Sequence, residues 1–181
     1  MTAGVVPLAT RVYFWAVRVG FFSRGRHVFG RPTMTTKFKE AEVFENIQRE
    51  HEELRENIAH IHQLLAAHNT PGDELATQLH HLHTALVEHF WHEEHKGFFD
   101  EVVAQAPQLT RQAHKLCAEH QEMLHTASEL ARFAAAGAGS ETWWRELSSR
   151  FHVFGKQLMH HEGEENSLLQ QAYQDDVGTH D

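Results

Sequence analysis

The sequence predicts an all-α fold: an antiparallel up-down-up-down four-helix bundle with an N-terminal extension. Three observations lead there. Proline is scarce at four residues and glycine modest at eleven, while Leu, Ala, Glu, Gln and His abound, a composition that favours helix over sheet. Only three breaks interrupt the chain beyond residue 36: Thr70-Pro71-Gly72-Asp73, Ala106-Pro107 and Gly137-Ala138-Gly139-Ser140, each a turn or capping sequence. Between the breaks, apolar residues alternate by three and four, the spacing that keeps one stripe of a helix against a bundle core.

The breaks leave four segments, roughly 37–68, 73–105, 108–136 and 141–173, each a rod of about 45 Å at helical rise. Short connections between rods of this length make neighbours antiparallel. The first seam reads Phe44, Ile47, His51, Leu54, Ile58, Ile61, Leu65. The second reads Leu75, Leu79, Leu82, Leu86, His89, Glu93, and then loses its apolar character at Lys96 and Gly97. The third reads Leu109, Ala113, Leu116, His120, Met123, Ala127, Leu130; the fourth reads Trp144, Leu147, Phe151, Phe154, Leu158, His161, Glu165, Leu168.

Each seam is thus interrupted by residues that ligate metals. A carboxylate buried in an apolar seam is costly unless neutralised, and a bare imidazole loses hydrogen bonds there. For any one of these residues, an ordinary core histidine or acid bonded to backbone is the default. Six interruptions spread over all four segments point instead to one shared cation site made of His51, His89, Glu93, His120, His161 and Glu165. The chain has eighteen histidines in all, an excess that helix propensity does not reward. His80, His81, His83, His92, His95, His114, His125 and His160 lie off the seams and read as surface residues. Open alternatives as ligands are His62, Glu94, His160, Glu162 and Glu164.

Counting residues outward from each turn tests whether the candidates lie at one height. His51, the His89/Glu93 pair and His120 are level. The His161/Glu165 pair misses His120 by about seven residues, or roughly 10 Å, when the third turn is centred at residue 138, a difference that a longer loop or an overhang must absorb.

The pairs His89/Glu93 and His161/Glu165 are each four apart, so each projects from one helical face. Four imidazoles and two carboxylates suit iron or manganese rather than calcium, and exceed the four ligands of structural zinc. If both glutamates bridge, each of two metals receives two nitrogens and two oxygens, with positions left for a bridging oxygen and an exogenous ligand. Phe90, Trp91, Phe98, Phe99, Phe151 and Phe154 lie near the ligands in sequence and are candidates for keeping the pocket dry.

Charge and cysteine usage narrow the function classes. Residues 1–36 hold five arginines and no acid, about +5, leaving about −14 on the rest of a chain of net charge −9. An acidic body does not suit nucleic acid. The single Cys117 allows no internal disulfide and no Cys-pair metal site, so a reducing, cytoplasmic setting is expected. Residues 1–36 read as a basic extension, disordered or non-native, with Met34 as the functional start. Membrane contact is expected only if this arm acts as an amphipathic anchor. Residues 37–175 form the bundle and 176–181 a tail.

The runs Glu50-His51-Glu52-Glu53-Leu54 and His89-Phe90-Trp91-His92-Glu93-Glu94, with Glu119-His120 before Met123-Leu124 and His161-Glu162-Gly163-Glu164-Glu165, resemble the four ligand segments of hemerythrin-like (HHE cation-binding) domains. The resemblance covers residue 40 to about 175. It implies two iron ions in a non-haem, oxo- or hydroxo-bridged centre, ahead of manganese or zinc. In that family such centres bind or sense oxygen, sense iron, or handle nitric oxide or peroxide. Oxygen-carrying members have a histidine four residues before the one matched by His120, and an aspartate five after the one matched by His161. Here Leu116 and Glu165 stand instead, so the chain is similar to the His, His-x-x-x-Glu, His, His-x-x-x-Glu branch. That shifts expectation from reversible oxygen carriage to sensing or redox handling of a small diatomic or peroxide ligand.

Competing classes are a peroxidase- or catalase-like di-iron enzyme and a histidine-rich metal-buffering bundle. Ferritin-like enzymes need two Glu-x-x-His elements, and only Glu122-Met123-Leu124-His125 is found. His92-Glu93-Glu94-His95 lacks the spacing of a zinc-protease motif.

Overall fold

The computed structural model describes residues 34–174 apart from residue 138, with side-chain environments from 43 to 173. The expectations for the arm up to residue 33 and for the C-terminal tail therefore lie outside the described residues, whereas residues 34–36, expected in the arm, open the first helix. Among these there is no strand, and no helix is long and apolar enough to cross a membrane.

Helix α1 spans Met34–Ala67, α2 Gly72–His95, α3 Phe98–Gln105, α4 Thr110–Ala135 and α5 Glu141–Gln174, with a 3-10 turn at Pro107–Leu109 before α4. Helix α1 stops where His68 turns left-handed (φ 53°), three residues before Pro71. Asp73 and Glu74 follow at the start of α2, where acidic side chains complement the helix dipole. The Ser140 hydroxyl accepts the Trp143 amide N–H at 3.2 Å and caps α5. Helix α1 packs beside α2 and α5, and α4 beside α2 and α5, which closes the four long helices into a ring in chain order. This is the bundle that the seams predicted.

The second expected segment, 73–105, is not one helix. It divides at Lys96 and Gly97, where the seam loses its apolar residues. Gly97 takes φ 99°, a left-handed conformation that costs other residues roughly 1–2 kcal/mol. The redirected α3 buries Phe98, Phe99 and Val102 under one end of the bundle. A Cβ on Gly97 meets nothing within 4 Å, so Gly97→Ala isolates the backbone cost. Urea unfolding should show a loss of roughly 1–2 kcal/mol; an unchanged midpoint would show that the helix break is set by packing instead.

Every seam residue is buried except Phe44 and Leu109, which are half-buried. Their side chains form two apolar clusters rather than one. Leu54, Leu86, Met123 and Leu158 belong to the first, here the upper; Ile47, Phe98, Leu116 and Leu168 belong to the second, the lower. The candidate ligands occupy the seam positions between them on all four long helices. Each fully buried leucine or phenylalanine contributes about 1.5–3 kcal/mol by leaving water, and the polar layer is held in register by the apolar layers on both sides.

The height mismatch on the fourth seam comes from the third turn. Glu119 meets His161, Lys115 Nζ donates to Glu164 at 2.8 Å, and the Arg150 guanidinium lies 4.7 Å from the Phe133 ring centre. The midpoints of these pairs fall near residue 140, about two residues later than assumed, and a later turn shifts the count on both helices at once. The first turn of α5 overhangs the end of α4. Trp143 folds back from the overhang, donating its indole N–H to Phe133 O at 3.2 Å and filling the space where Gly137 would carry a Cβ.

Candidate metal centre

Helical periodicity brings the six candidates together. His51 comes from α1, His89 and Glu93 from successive turns of α2, His120 from α4, and His161 and Glu165 from successive turns of α5; all six are at most 1% exposed. They form two overlapping groups: His51, His89, Glu93 and Glu165, and Glu93, His120, His161 and Glu165. In each group, one ligand atom per residue lies within 4.8 Å of all the others.

The two shared carboxylates divide their oxygens between the groups. Glu93 Oε1 lies 3.7 Å from His51 Nε2 and 3.3 Å from His89 Nε2, while its Oε2 lies 3.5 Å from His120 Nε2. Glu165 Oε2 lies 3.4 Å from His51 Nε2, while its Oε1 lies 3.7 Å from His120 Nε2 and 2.9 Å from His161 Nε2. Cations bound at about 2.0–2.2 Å place neighbouring ligand atoms about 3–3.5 Å apart, so these separations suit the edges of two coordination shells sharing both carboxylates.

The electrostatics call for a cation. Burial, and next the charge of Glu165, push Glu93 well above the usual carboxylate range. Burial also raises Glu165, but its contacts with His120, His161 and His51 outweigh that and hold it well below. Two facing buried carboxylates do not both ionise without compensation. His51 Nε2, His89 Nε2 and both oxygens of Glu93 are buried without a hydrogen-bond partner, and the Nε2 atoms of His120 and His161 face each other at 3.2 Å. Unsatisfied buried groups of this kind are costly; positive charge at the centre would satisfy all of them.

Behind the cluster, carboxylates orient the imidazoles. His89 Nδ1–H donates to Glu50 at 3.1 Å, His120 Nδ1–H to Glu94 at 2.7 Å, and His161 Nδ1–H to Glu119 at 3.0 Å. The carboxylate acceptors put the proton on Nδ1 and leave Nε2 free to ligate. Glu50 also accepts the His92 Nδ1–H at 2.6 Å. Burial raises Glu50, but these two histidine bonds outweigh it and keep the carboxyl lowered, so Glu50 is ionised at neutral pH.

These supporting residues were absent from the sequence reading, which considered Glu94 only as a substitute ligand and His92 only as a surface residue. One signal was present: Glu50, Glu94 and Glu119 each adjoin a ligand in sequence, one helical step off the seam, where a side chain faces the neighbouring helix. The other open alternatives do not join the cluster. His62 packs against Phe151 and His152, His160 is exposed, Glu164 pairs with Lys115, and Glu162 lies buried with its Oε2 3.3 Å from Arg55 Nη2.

Of the aromatic candidates, Phe90 stacks on His120 with ring centres 4.0 Å apart and Phe99 lies 6.0 Å from the same ring. Trp91 is 47% exposed and stacks on His95, so it does not wall the site. Phe98 belongs to the lower apolar cluster, and Phe151 and Phe154 to the upper.

Cys117, close by on α4, has its thiol pushed up to about 12 by burial first and then by Glu94, Glu93 and Glu165. The fraction of reactive thiolate at pH 8 falls with it. Alkylation of the folded chain should run roughly two to three orders of magnitude slower than that of the unfolded chain; equal rates, read by mass spectrometry, would contradict this burial.

Imidazoles and carboxylates converging between the apolar layers of a helical bundle define a metal-binding protein. The chain belongs to the hemerythrin HHE cation binding domain family, whose model matches residues 42–173. No curated protein and no solved structure matches it.

Proposed function

We propose that this chain is a non-haem di-iron protein that binds, senses or handles oxygen, nitric oxide or peroxide at a carboxylate-bridged centre. One observation carries the reading: Glu93 and Glu165 each turn one oxygen toward the His51/His89 side and the other toward the His120 side. That arrangement suits two cations about equally. Two imidazole nitrogens and two carboxylate oxygens for each cation leave room for exogenous ligands, and the mixed set suits iron. Iron held in this way supplies open coordination positions and one-electron redox chemistry.

The side chains set the terms of that chemistry. Glu50, Glu94 and Glu119 fix three ligand imidazoles in the ligating tautomer. Phe90, stacked on His120, excludes water from one wall. Leu116, fully buried in the lower apolar cluster, adds no ligand atom to the His120/His161 group, so the two groups stay alike with two imidazoles each. Oxygen-carrying members of the family have a histidine where Leu116 stands, so the resemblance favours sensing or redox handling over oxygen carriage.

The test is metal content and optical spectrum after anaerobic iron reconstitution and exposure to air. About two irons per chain, with a near-ultraviolet charge-transfer band, support the reading; a chain that holds no iron after reconstitution overturns it. Peroxide turnover by the loaded wild type, absent in Glu93→Ala, would identify an enzyme rather than a binder.

A further inference from the structure

The supporting carboxylates run in one direction around the bundle. Glu50 on α1 takes His89 on α2, Glu94 on α2 takes His120 on α4, and Glu119 on α4 takes His161 on α5. In each case the acid adjoins a ligand of its own helix and reaches the imidazole of the next. The remaining step, from α5 to α1, needs an acid beside a ligand on α5 and an imidazole on α1. Glu162 follows His161, and the α1 ligand is His51.

Both residues have the capacity that the step requires. His51 is the ligand histidine whose Nδ1 is buried with no hydrogen-bond partner, and Glu162, 2% exposed, has both oxygens buried and likewise unbonded. Arg55, one helical turn beyond His51, is anchored by an Nη1–H donated to Glu52 at 2.8 Å and turns Nη2 to Glu162 at 3.3 Å. It thereby holds the buried Glu162 carboxyl against α1, one turn from His51. Glu162 belongs to neither ligand group, so its carboxyl stands behind the cluster rather than in it.

We propose that Glu162 is the positioning residue of His51: in the metal-loaded protein it accepts the His51 Nδ1–H, directly or through one buried water, and closes a ring of four carboxylate–imidazole pairs. This rests on the two-metal reading of the site. A bridging water is enthalpically close to a direct hydrogen bond, so either route would complete the pair. The exchange leaves Arg55 as the second partner of the same carboxylate.

Zinc is a suitable diamagnetic probe. In the zinc-loaded, histidine-labelled chain, proton–nitrogen spectra should show four ligand imidazoles with exchange-protected Nδ1–H, the His51 signal being assigned by its loss in His51→Gln. Glu162→Ala should remove protection from His51 alone and weaken one of two zinc-binding events by roughly 10–100-fold. Glu162→Gln, which keeps an acceptor oxygen, should shift that resonance without exposing the proton. If Glu162 served only as the ion-pair partner of Arg55, the His51 proton would not respond to either change. Two bound zinc ions with His51 indifferent to Glu162 therefore overturn the inference alone, whereas a wild type that takes up no zinc overturns the site reading with it.

Discussion

Glu93→Ala should abolish both metal-binding events, whereas His51→Ala should weaken one and leave the other. The difference follows from sharing. His51 belongs to one ligand group, while Glu93 belongs to both, with separate oxygens facing the imidazoles on either side. Removing Glu93 takes an anionic donor from each group and leaves Glu165 to compensate two cations. The loss for each ion should exceed the roughly 10–100-fold cost typical of losing a supporting partner. Glu165→Ala should behave like Glu93→Ala, and His161→Ala like His51→Ala on the opposite ion. Titration with iron or zinc, followed by bound metal per chain, reads the pattern directly. If Glu93→Ala kept one full-affinity ion, the two groups would be independent sites and the bridge would be wrong.

Stripping the metal should destabilise the fold, and substituting Glu93 should partly reverse that loss. A ligand held at about 1,000 times its dissociation constant stabilises by about 4 kcal/mol, or a midpoint shift of roughly 8–16 °C for a domain of this size. The pH dependence has a definite sign. The raised carboxyl of Glu93 binds its proton more tightly in the folded chain than in the unfolded one. Its contribution to the metal-free fold is therefore fully present below the ordinary carboxylate range and is lost as pH rises through the raised value. A cation displaces that proton, so metal-dependent stabilisation grows over the same rise in pH.

Glu93→Met replaces a buried carboxylate by an apolar chain of similar volume. Both Glu93 oxygens are buried without a hydrogen-bond partner, a penalty of about 1–3 kcal/mol that an apolar side chain removes, so the metal-free variant should melt at or above the metal-free wild type while gaining nothing from metal. Calorimetry with and without chelator checks both halves. A metal-free Glu93→Met that melts far below the metal-free wild type would show that the carboxylate stabilises the fold without metal.

The burial of the six central residues was legible in the sequence because a bundle helix repeats its buried face every three or four residues. Histidines and acids in that repeat, such as His120 between Leu116 and Met123 on α4, announce themselves as buried. The same repeat marked Lys96 and Gly97 as the place where the second seam fails. It did not show that the chain re-forms a separate helix from Phe98, because that depends on Gly97 adopting a left-handed turn and on an apolar cluster waiting below. The repeat also left the height of His161 to a longer loop or an overhang without choosing between them, for a similar reason: the overhang of α5 depends on how Trp143 folds back over Gly137, a contact across a loop.

By itself, then, the sequence determined the fold class, the four seams and the imidazoles and carboxylates within them, since helical periodicity is a local property of the chain. Only the tertiary structure decided that Glu93 and Glu165 each face both sides of the cluster, that Glu50, Glu94 and Glu119 each serve an imidazole on the next helix, and that Trp91 points to solvent. Those outcomes depend on the rotation and relative height of neighbouring helices. They are settled by packing between residues as far apart as Glu119 and His161, where sequence spacing carries no distance.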